Sequence, residues 1–254
     1  MIRTSWHDRL LTITLDRPDK RNALNREMVE RLREAFREAE RPDVKTILLR
    51  AEGPAFSAGA DLDALKRLRG ATDQENQEDS NALASLFLAM VRHPKPIVAR
   101  IHGDAIAGGC GLATACDIRV ASASARFGYT EARIGFVPAM VAMPLLRAVG
   151  ETQARRLLMG ADLIDAWEAR GIGLVSEAVD ADRLDERVAW WTDRLTHDVS
   201  GSAVARTKAL LSDLPHLPIS TQFEAAAHAN ALARRDPDCV AGVDRFLDKE
   251  TPRW

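Results

Sequence analysis

Through residue 179 the chain switches repeatedly between two hydrophobic periods, which rules out an all-helical or an all-strand architecture. "LLTITL" (10–15) places apolar and polar residues in turn, the period of a half-buried strand. "VKTILLRAEG" (44–53), "PIVARIHG" (96–103), "DIRVAS" (117–122) and "GLVSEAV" (173–179) are further strand-like runs, and helical patterns lie between them. "RPDKRNAL" reads as a turn, with Pro18 and Asp19 as breakers. Asn25 is placed to cap a helix running to about Glu40, with Met28, Val29, Leu32, Phe36 and Ala39 on one face. Another helix is predicted over 182–197, where Leu184, Val188, Trp191 and Leu195 recur at helical spacing. Strands separated by helices predict an α/β fold.

After residue 197 the strand signals stop. "SAVARTKALLSDL", "TQFEAAAHANALARR" and "DPDCVAGVDRFLDKE" read as three helices, the last started by Asp236 and Pro237. The expected division is a core over 1–197 and a helical region over 198–254. Such an appendage packs against other subunits or simply covers the core. Residues 66–82, "KRLRGATDQENQEDSNA", are polar and charged, and read as a flap over a site or as an exposed loop.

Composition excludes several functions. A chain of 254 residues, 46% hydrophobic, buries a substantial core. Lys plus Arg number 35 and Asp plus Glu 37, so no general basic field invites nucleic acid. Cys110, Cys116 and Cys239 have no metal-ligand spacing, and the first two read as packed thiols; no metal is expected. No run approaches membrane-spanning length, and "MIRTSWHDRLLTITL" does not read as a signal peptide. The expectation is a cytoplasmic protein in a reducing setting.

Three stretches carry chemistry in combination: "AFSAGADL" (55–62), "GDAIAGGCGLATACD" (103–117) and "FGYTEARIGFVP" (127–138). Singly they are weak. Paired glycines before a helix also serve close packing, and a lone glutamate is commonly a solvated surface residue. Together, small residues at 58–60 and Gly108 with Gly109 at a helix start let two backbone N–H groups converge on one point. Two such donors would hold a thioester carbonyl and stabilise it as an enolate. Glu131 is then the candidate acid or base beside the α and β carbons.

At these residues the chain resembles the enoyl-CoA hydratase/isomerase (crotonase) superfamily. The likeness also runs through "LDRPDKRNALN" (15–25), "RAVGETQARRLLMGADLIDAWEARGIGLVSEAV" (147–179) and "GVDRFLDKETPRW" (242–254). It implies a spiral of ββα units with a helical C-terminal trimerisation region, assembled as a trimer or dimer of trimers. It implies an acyl-CoA thioester substrate, coenzyme A being part of that substrate, with no separate cofactor. Carried over, the donors are the N–H groups of Ala60 and Gly108, and Glu131 is the acid/base. Ala58, Asp61 and Leu62 would flank the channel for the CoA adenine and pantetheine, with Ala23 and Arg21 on the first CoA-contacting loop. Phe246 and Lys249 match positions that reach CoA from a neighbouring subunit.

Two departures stand out. Hydratases of the family read "GGGCEL" in the glycine helix; here "AGGCGL" puts Gly111 where one catalytic glutamate is expected. Their "PGAGGTQRL" is here "PAMVAMPLL" (138–146), so Met140, Val141 and Met143 either shape an apolar acyl pocket or belong to the core. Asp61, Asp104 and Asp117 are not obvious substitutes, Asp117 reading as a cap or buttress. The glutamate-less pattern resembles the methylglutaconyl-CoA hydratase-like and short-chain hydratase homologues. The leading expectation is an enoyl-CoA hydratase with one glutamate, a branched or methylglutaconyl-type acyl group being a candidate. The alternatives are a Δ3,Δ2-enoyl-CoA isomerase and a non-catalytic acyl-CoA or RNA-binding homologue.

Overall fold

The computed structural model describes the backbone of residues 1–254 and every side chain except that of His216. The strands form two sheets. One has six strands: β1 (Ile2–His7), β2 (Leu10–Leu15), β3 (Thr46–Ala51), β5 (Ile97–Ile101), β7 (Ile118–Ser122) and β10 (Glu177–Val179), in that spatial order. The other has four: β4 (Ala55–Ser57), β6 (Asp104–Ile106), β8 (Arg126–Gly128) and β9 (Leu163–Asp165). Only β1 against β2 and β9 against β8 are antiparallel. The chain alternates between the sheets, β3 to β4, β5 to β6 and β7 to β8; helices return it to the large sheet after β4 and β6, whereas after β8 a helix leads to β9 of the same small sheet before β10 rejoins the large one. Parallel neighbours require such crossovers, so the result is the expected mixed α/β spiral of ββα turns.

Local signals explain most elements. Asn25 caps α1 (Arg26–Glu38), its side chain accepting from the Met28 N–H at 2.9 Å. All five residues of the predicted apolar face are buried. Leu11, Ile13, Leu15, Ile47, Leu49, Ile97 and Ile101 are fully buried at alternate positions on one face of the large sheet, while Val98 and Val120 are buried with Leu184 and Val188 on the other. The strand over 173–179 shortens to β10, and β1 was not foreseen: it is an edge strand whose side chains are mostly exposed.

Residues 66–82 correct the expectation of an exposed loop. They belong to α2 (Leu62–Leu68) and α3 (Asp73–Arg92), with four residues between. A capping box starts α3: the Thr72 hydroxyl accepts from the Glu75 N–H, and the Glu75 carboxylate accepts from the Thr72 N–H. The first half of α3 exposes nearly every side chain, which hides its period; Ala82, Leu86, Phe87 and Met90 anchor it to the core.

The remaining helices are α4 (Gly108–Thr114), α5 (Ala139–Gly160, broken at Gly150), α6 (Ala166–Gly171) and α7 (Leu184–Asp193), followed by a π turn over 194–198. Then come α8 (Gly201–Asp213), α9 (Ile219–Ala233) and α10 (Pro237–Leu247). Among their described residues these last three bury no side chain completely, and Phe223 and Phe246 are more than 70% exposed. Asp117 is the buttress expected: its Oδ2 accepts from the Ile97 N–H and from Lys208 of α8. No helix among the described residues is long and apolar enough to cross a membrane.

Candidate active site

The loop before α1 is locked first. Asn22 is fully buried at φ +54°, and its amide donates to the carbonyls of Glu52 and Ala55. The Ser57 hydroxyl donates back to the Asn22 carbonyl at 2.8 Å. Leu24 then forms a parallel bridge with Ala60: the Leu24 N–H donates to Gly59, and the Asp61 N–H donates to Leu24. That pattern uses the groups flanking Ala60, so the N–H of Ala60 itself points away from Leu24 and stays unpaired.

The second donor lies beside it. Gly108 is the first residue of α4, so its N–H has no intrahelical acceptor. Its preceding residue, Ala107, holds φ +52° and ψ −126°, a strained conformation for alanine that costs about 1–3 kcal/mol. The Ala107 N–H donates to the Gly128 carbonyl at 2.7 Å, which keeps that turn in place. The two loops touch at Gly59, which has φ +88°. A side chain there would come within 2.7 Å of the Ile106 oxygen and 3.1 Å of the Gly108 nitrogen, so only glycine permits the approach.

Both donors open on a cavity of about 340 Å³. Leu24 and Val29 of the α1 region, Leu65 of α2, Leu83 of α3 and Met140 and Val141 of α5 make its walls apolar. Glu131 enters the same cavity from a short 3-10 turn after β8. Burial pushes its carboxyl above the usual glutamate range. Its Oε2 is buried and meets no hydrogen-bond partner. A proton-transfer group needs a free oxygen facing the substrate, and an apolar surround brings its pKa towards neutrality.

The room left by Gly111 is not empty. A Cβ on Gly111 would lie 2.3 Å from Cγ1 of Val141 and 3.2 Å from the Phe87 ring. Val141 is buried at 2% exposure. An isopropyl group from α5 therefore occupies the space beside α4 into which a longer residue at 111 would project. Asp61 is engaged elsewhere: it caps α2 through the N–H groups of Asp63 and Ala64, and Arg17 pairs with it at 2.7 Å. Asp104 pairs with Arg126. Neither is free to serve as a second carboxylate.

The structure thus brings together Ala60, Gly108, Glu131, Ala58, Asp61, Leu62 and Met140 around one cavity. Arg21 and Ala23 stand behind it. Arg21, exposed at φ +48°, accepts from the Ala58 N–H through its carbonyl, and the Ala23 carbonyl accepts from Arg17. Phe246 and Lys249 do not line the cavity of their own chain. Met143 is 57% exposed and is neither core nor pocket, unlike its neighbours Met140 and Val141. The contributions of Leu65 and Leu83 were not foreseen, because neither α2 nor α3 was; the Asp61 cap of α2 and the capping box of α3 were the available signals.

The enoyl-CoA hydratase/isomerase family model matches residues 6–254. A Thermus thermophilus protein named only provisionally as an enoyl-CoA hydratase is 40% identical over 243 residues, 95% of this chain and 96% of its own. The crotonyl-CoA hydratase of Syntrophomonas wolfei is 31% identical, covering 95% of this chain and 93% of its own. The crystal structure of an enoyl-CoA hydratase from Mycobacterium smegmatis superposes with a TM-score of 0.93 at 32% identity, over 100% of this chain and 98% of its own. Family match, sequence relatives and fold agree with the donor loops and the cavity between them: the chain belongs to the enoyl-CoA hydratase/isomerase family and is an enzyme of the crotonase superfamily.

Proposed function

We propose that the protein hydrates an enoyl-CoA thioester with Glu131 as its only acid/base. The observation that carries this is the convergence of two unpaired N–H groups, of Ala60 and Gly108, on the cavity into which the partnerless Glu131 oxygen is buried. The thioester oxygen sits between the donors. The Glu131 carboxylate takes a proton from water as the water oxygen bonds to the β carbon. The π electrons move through the α carbon onto the thioester oxygen, and the enolate is held by both N–H groups. The enolate collapses and takes the proton from Glu131 at the α carbon, so water is added across the double bond and the carboxylate is regenerated. Each donor of this type lowers the barrier by about 3–4 kcal/mol.

The walls favour an apolar acyl group over a methylglutaconyl one. Arg26, the one cation lining the cavity among the described residues, is engaged by Glu30 and by the Glu78 carbonyl. A distal carboxylate would find no free partner there. Ala58, Asp61 and Leu62, with the Arg21–Ala23 loop behind them, form the side along which the CoA moiety leaves. Phe246 and Lys249 reach CoA only from another copy, which accords with the exposed apolar residues of α9 and α10 and with a trimer or dimer of trimers. No separate cofactor enters the scheme.

A second reading is a Δ3,Δ2-enoyl-CoA isomerase, favoured by Val141 in the space beside Gly111: one carboxylate suffices to move a proton from the α to the γ carbon. Turnover of crotonyl-CoA, 3-hexenoyl-CoA and 3-methylglutaconyl-CoA by wild type and Glu131→Gln separates these. Hydration of crotonyl-CoA abolished by the substitution supports the first reading; turnover of the 3-enoyl thioester alone supports the second. Wild-type rates in Glu131→Gln overturn both.

A further inference from the structure

The chain has a single tyrosine, Tyr129, and it is the largest of its fully buried side chains. It lies two residues before Glu131, on the back of α4. Its hydroxyl is 2.9 Å from Oγ1 of Thr114, the last residue of that helix. The Thr114 hydroxyl already donates to the Cys110 carbonyl at 2.7 Å, so the Tyr129 O–H is the donor in the pair. The Cys110 thiol lies against the same hydroxyl as a second, weaker hydrogen-bond partner, and burial pushes it up to about 11, which keeps it neutral. Arg119 grips the far side of Thr114, donating to the carbonyls of Thr114 and Cys116.

Segment 128–131 is thereby tied to both ends of α4. At the N-terminal end the Gly128 carbonyl accepts from Ala107; at the C-terminal end Tyr129 donates to Thr114. Glu131 has no such tie. No other side chain bonds its carboxylate among the described residues, and Oε2 has no partner at all. Its place in the cavity it shares with Gly108 is set by its own backbone, whose N–H is the one group that bonds the carboxylate.

We infer that Tyr129 is a positioning residue: through its hydroxyl bond to Thr114 it fixes the Glu131 carboxylate relative to the oxyanion donor at the other end of α4. This rests on Glu131 being the acid/base. The tether explains how a carboxylate bonded to no other residue can be held at a defined distance from a donor, since a reacting group displaced by about 1 Å loses up to about 100-fold in rate.

The test compares Tyr129→Phe, Thr114→Val and their double variant with wild type, on the thioester that wild type turns over best. Each single variant is expected to lower kcat about 10- to 100-fold with KM nearly unchanged. The acid limb of the kcat/KM profile should move to lower pH, because a loosened Glu131 gains solvent. The losses in the double variant should be markedly less than additive, since both substitutions remove the same Tyr129–Thr114 bond, and Thr114→Ser should recover the limb. A buried hydroxyl serving stability alone would lower the melting temperature and leave kcat per folded molecule and the limb where they are; that result overturns the inference.

The sole tyrosine supplies a readout independent of turnover. With ζ-carbon-labelled tyrosine, one resonance is observed, and saturating butyryl-CoA should shift it in wild type but not in Thr114→Val. A resonance unmoved by butyryl-CoA binding also counts against the coupling. If Glu131→Gln is fully active, the single-acid reading has failed; if Glu131→Gln is inactive while Tyr129→Phe matches wild type in kcat and limb, only the tether has failed.

Discussion

Replacing Gly111 by alanine places a methyl group 2.3 Å from Cγ1 of Val141, in a region where Val141 is 2% exposed. Overpacking of a filled core costs about 1–3 kcal/mol. Alanine in place of glycine inside a helix returns about 1 kcal/mol, so Gly111→Ala alone should destabilise by about 0–2 kcal/mol. Val141→Ala removes two buried methyl groups at about 0.8 kcal/mol each and leaves a small cavity, for about 2 kcal/mol in all. Were the two sites independent, the double variant would lose the sum, about 2–4 kcal/mol. The geometry says otherwise: the new methyl enters the space the valine methyls leave, so strain and cavity cancel and the double variant should lose less than about 1 kcal/mol. The coupling free energy is therefore about 2 kcal/mol in favour of the pair, within the range for residues in contact. The helix-propensity gain occurs in both arms of the cycle and drops out. Urea denaturation of all four proteins at one protein concentration, with slopes compared, measures it. Losses that add within about 0.5 kcal/mol would refute the view that Val141 occupies the room beside Gly111.

The same packing predicts that Gly111→Glu is poorly folded alone, while Gly111→Glu with Val141→Gly is folded; equal melting temperatures for the two would argue against it. Gly108→Pro removes the donor at a helix position where proline is otherwise accepted, and kcat should fall about 100- to 1000-fold; since the strained Ala107 precedes it, melting must show a folded protein, and full activity in one would remove Gly108 from the chemistry. Glu131→Gln should lose about 100- to 10,000-fold in kcat. Because burial raises the folded carboxyl above its unfolded value, the native state holds its proton longer. Wild-type stability should therefore fall as pH rises through the interval between those two values, and the variant should stay level there and melt higher at neutral pH; parallel pH–melting curves would contradict this. Activity that needs the carboxylate should rise over that raised interval. Light scattering should give a trimer or a multiple of it, and a monomer at micromolar concentration would oppose the reading of Phe246 and Lys249 across subunits.

The sequence by itself determined what neighbouring residues decide together. The period of 10–15, the Asn25 cap with its apolar face, the start of α10 at Asp236 and the glycine pair opening α4 are short-range relations, and each appears where the pattern put it. Glu131 was legible as a candidate because the family motif places it, and the missing second carboxylate was legible as Gly111. Elements with one weakly patterned face were not legible: β1 is a mostly exposed edge strand, and the first half of α3 is solvated nearly all round, so no hydrophobic period marks either. Only the tertiary structure decided the site. Ala60 offers an unpaired N–H because Leu24, 36 positions earlier, bridges to it. Val141 fills the space of Gly111 from 30 positions away, and Tyr129 reaches Thr114 across 15. Burial of Glu131, and with it the direction of its pKa, is a property of everything packed around it. Close approach and desolvation are sums over residues far apart in the chain, and local pattern carries no record of which of them will meet.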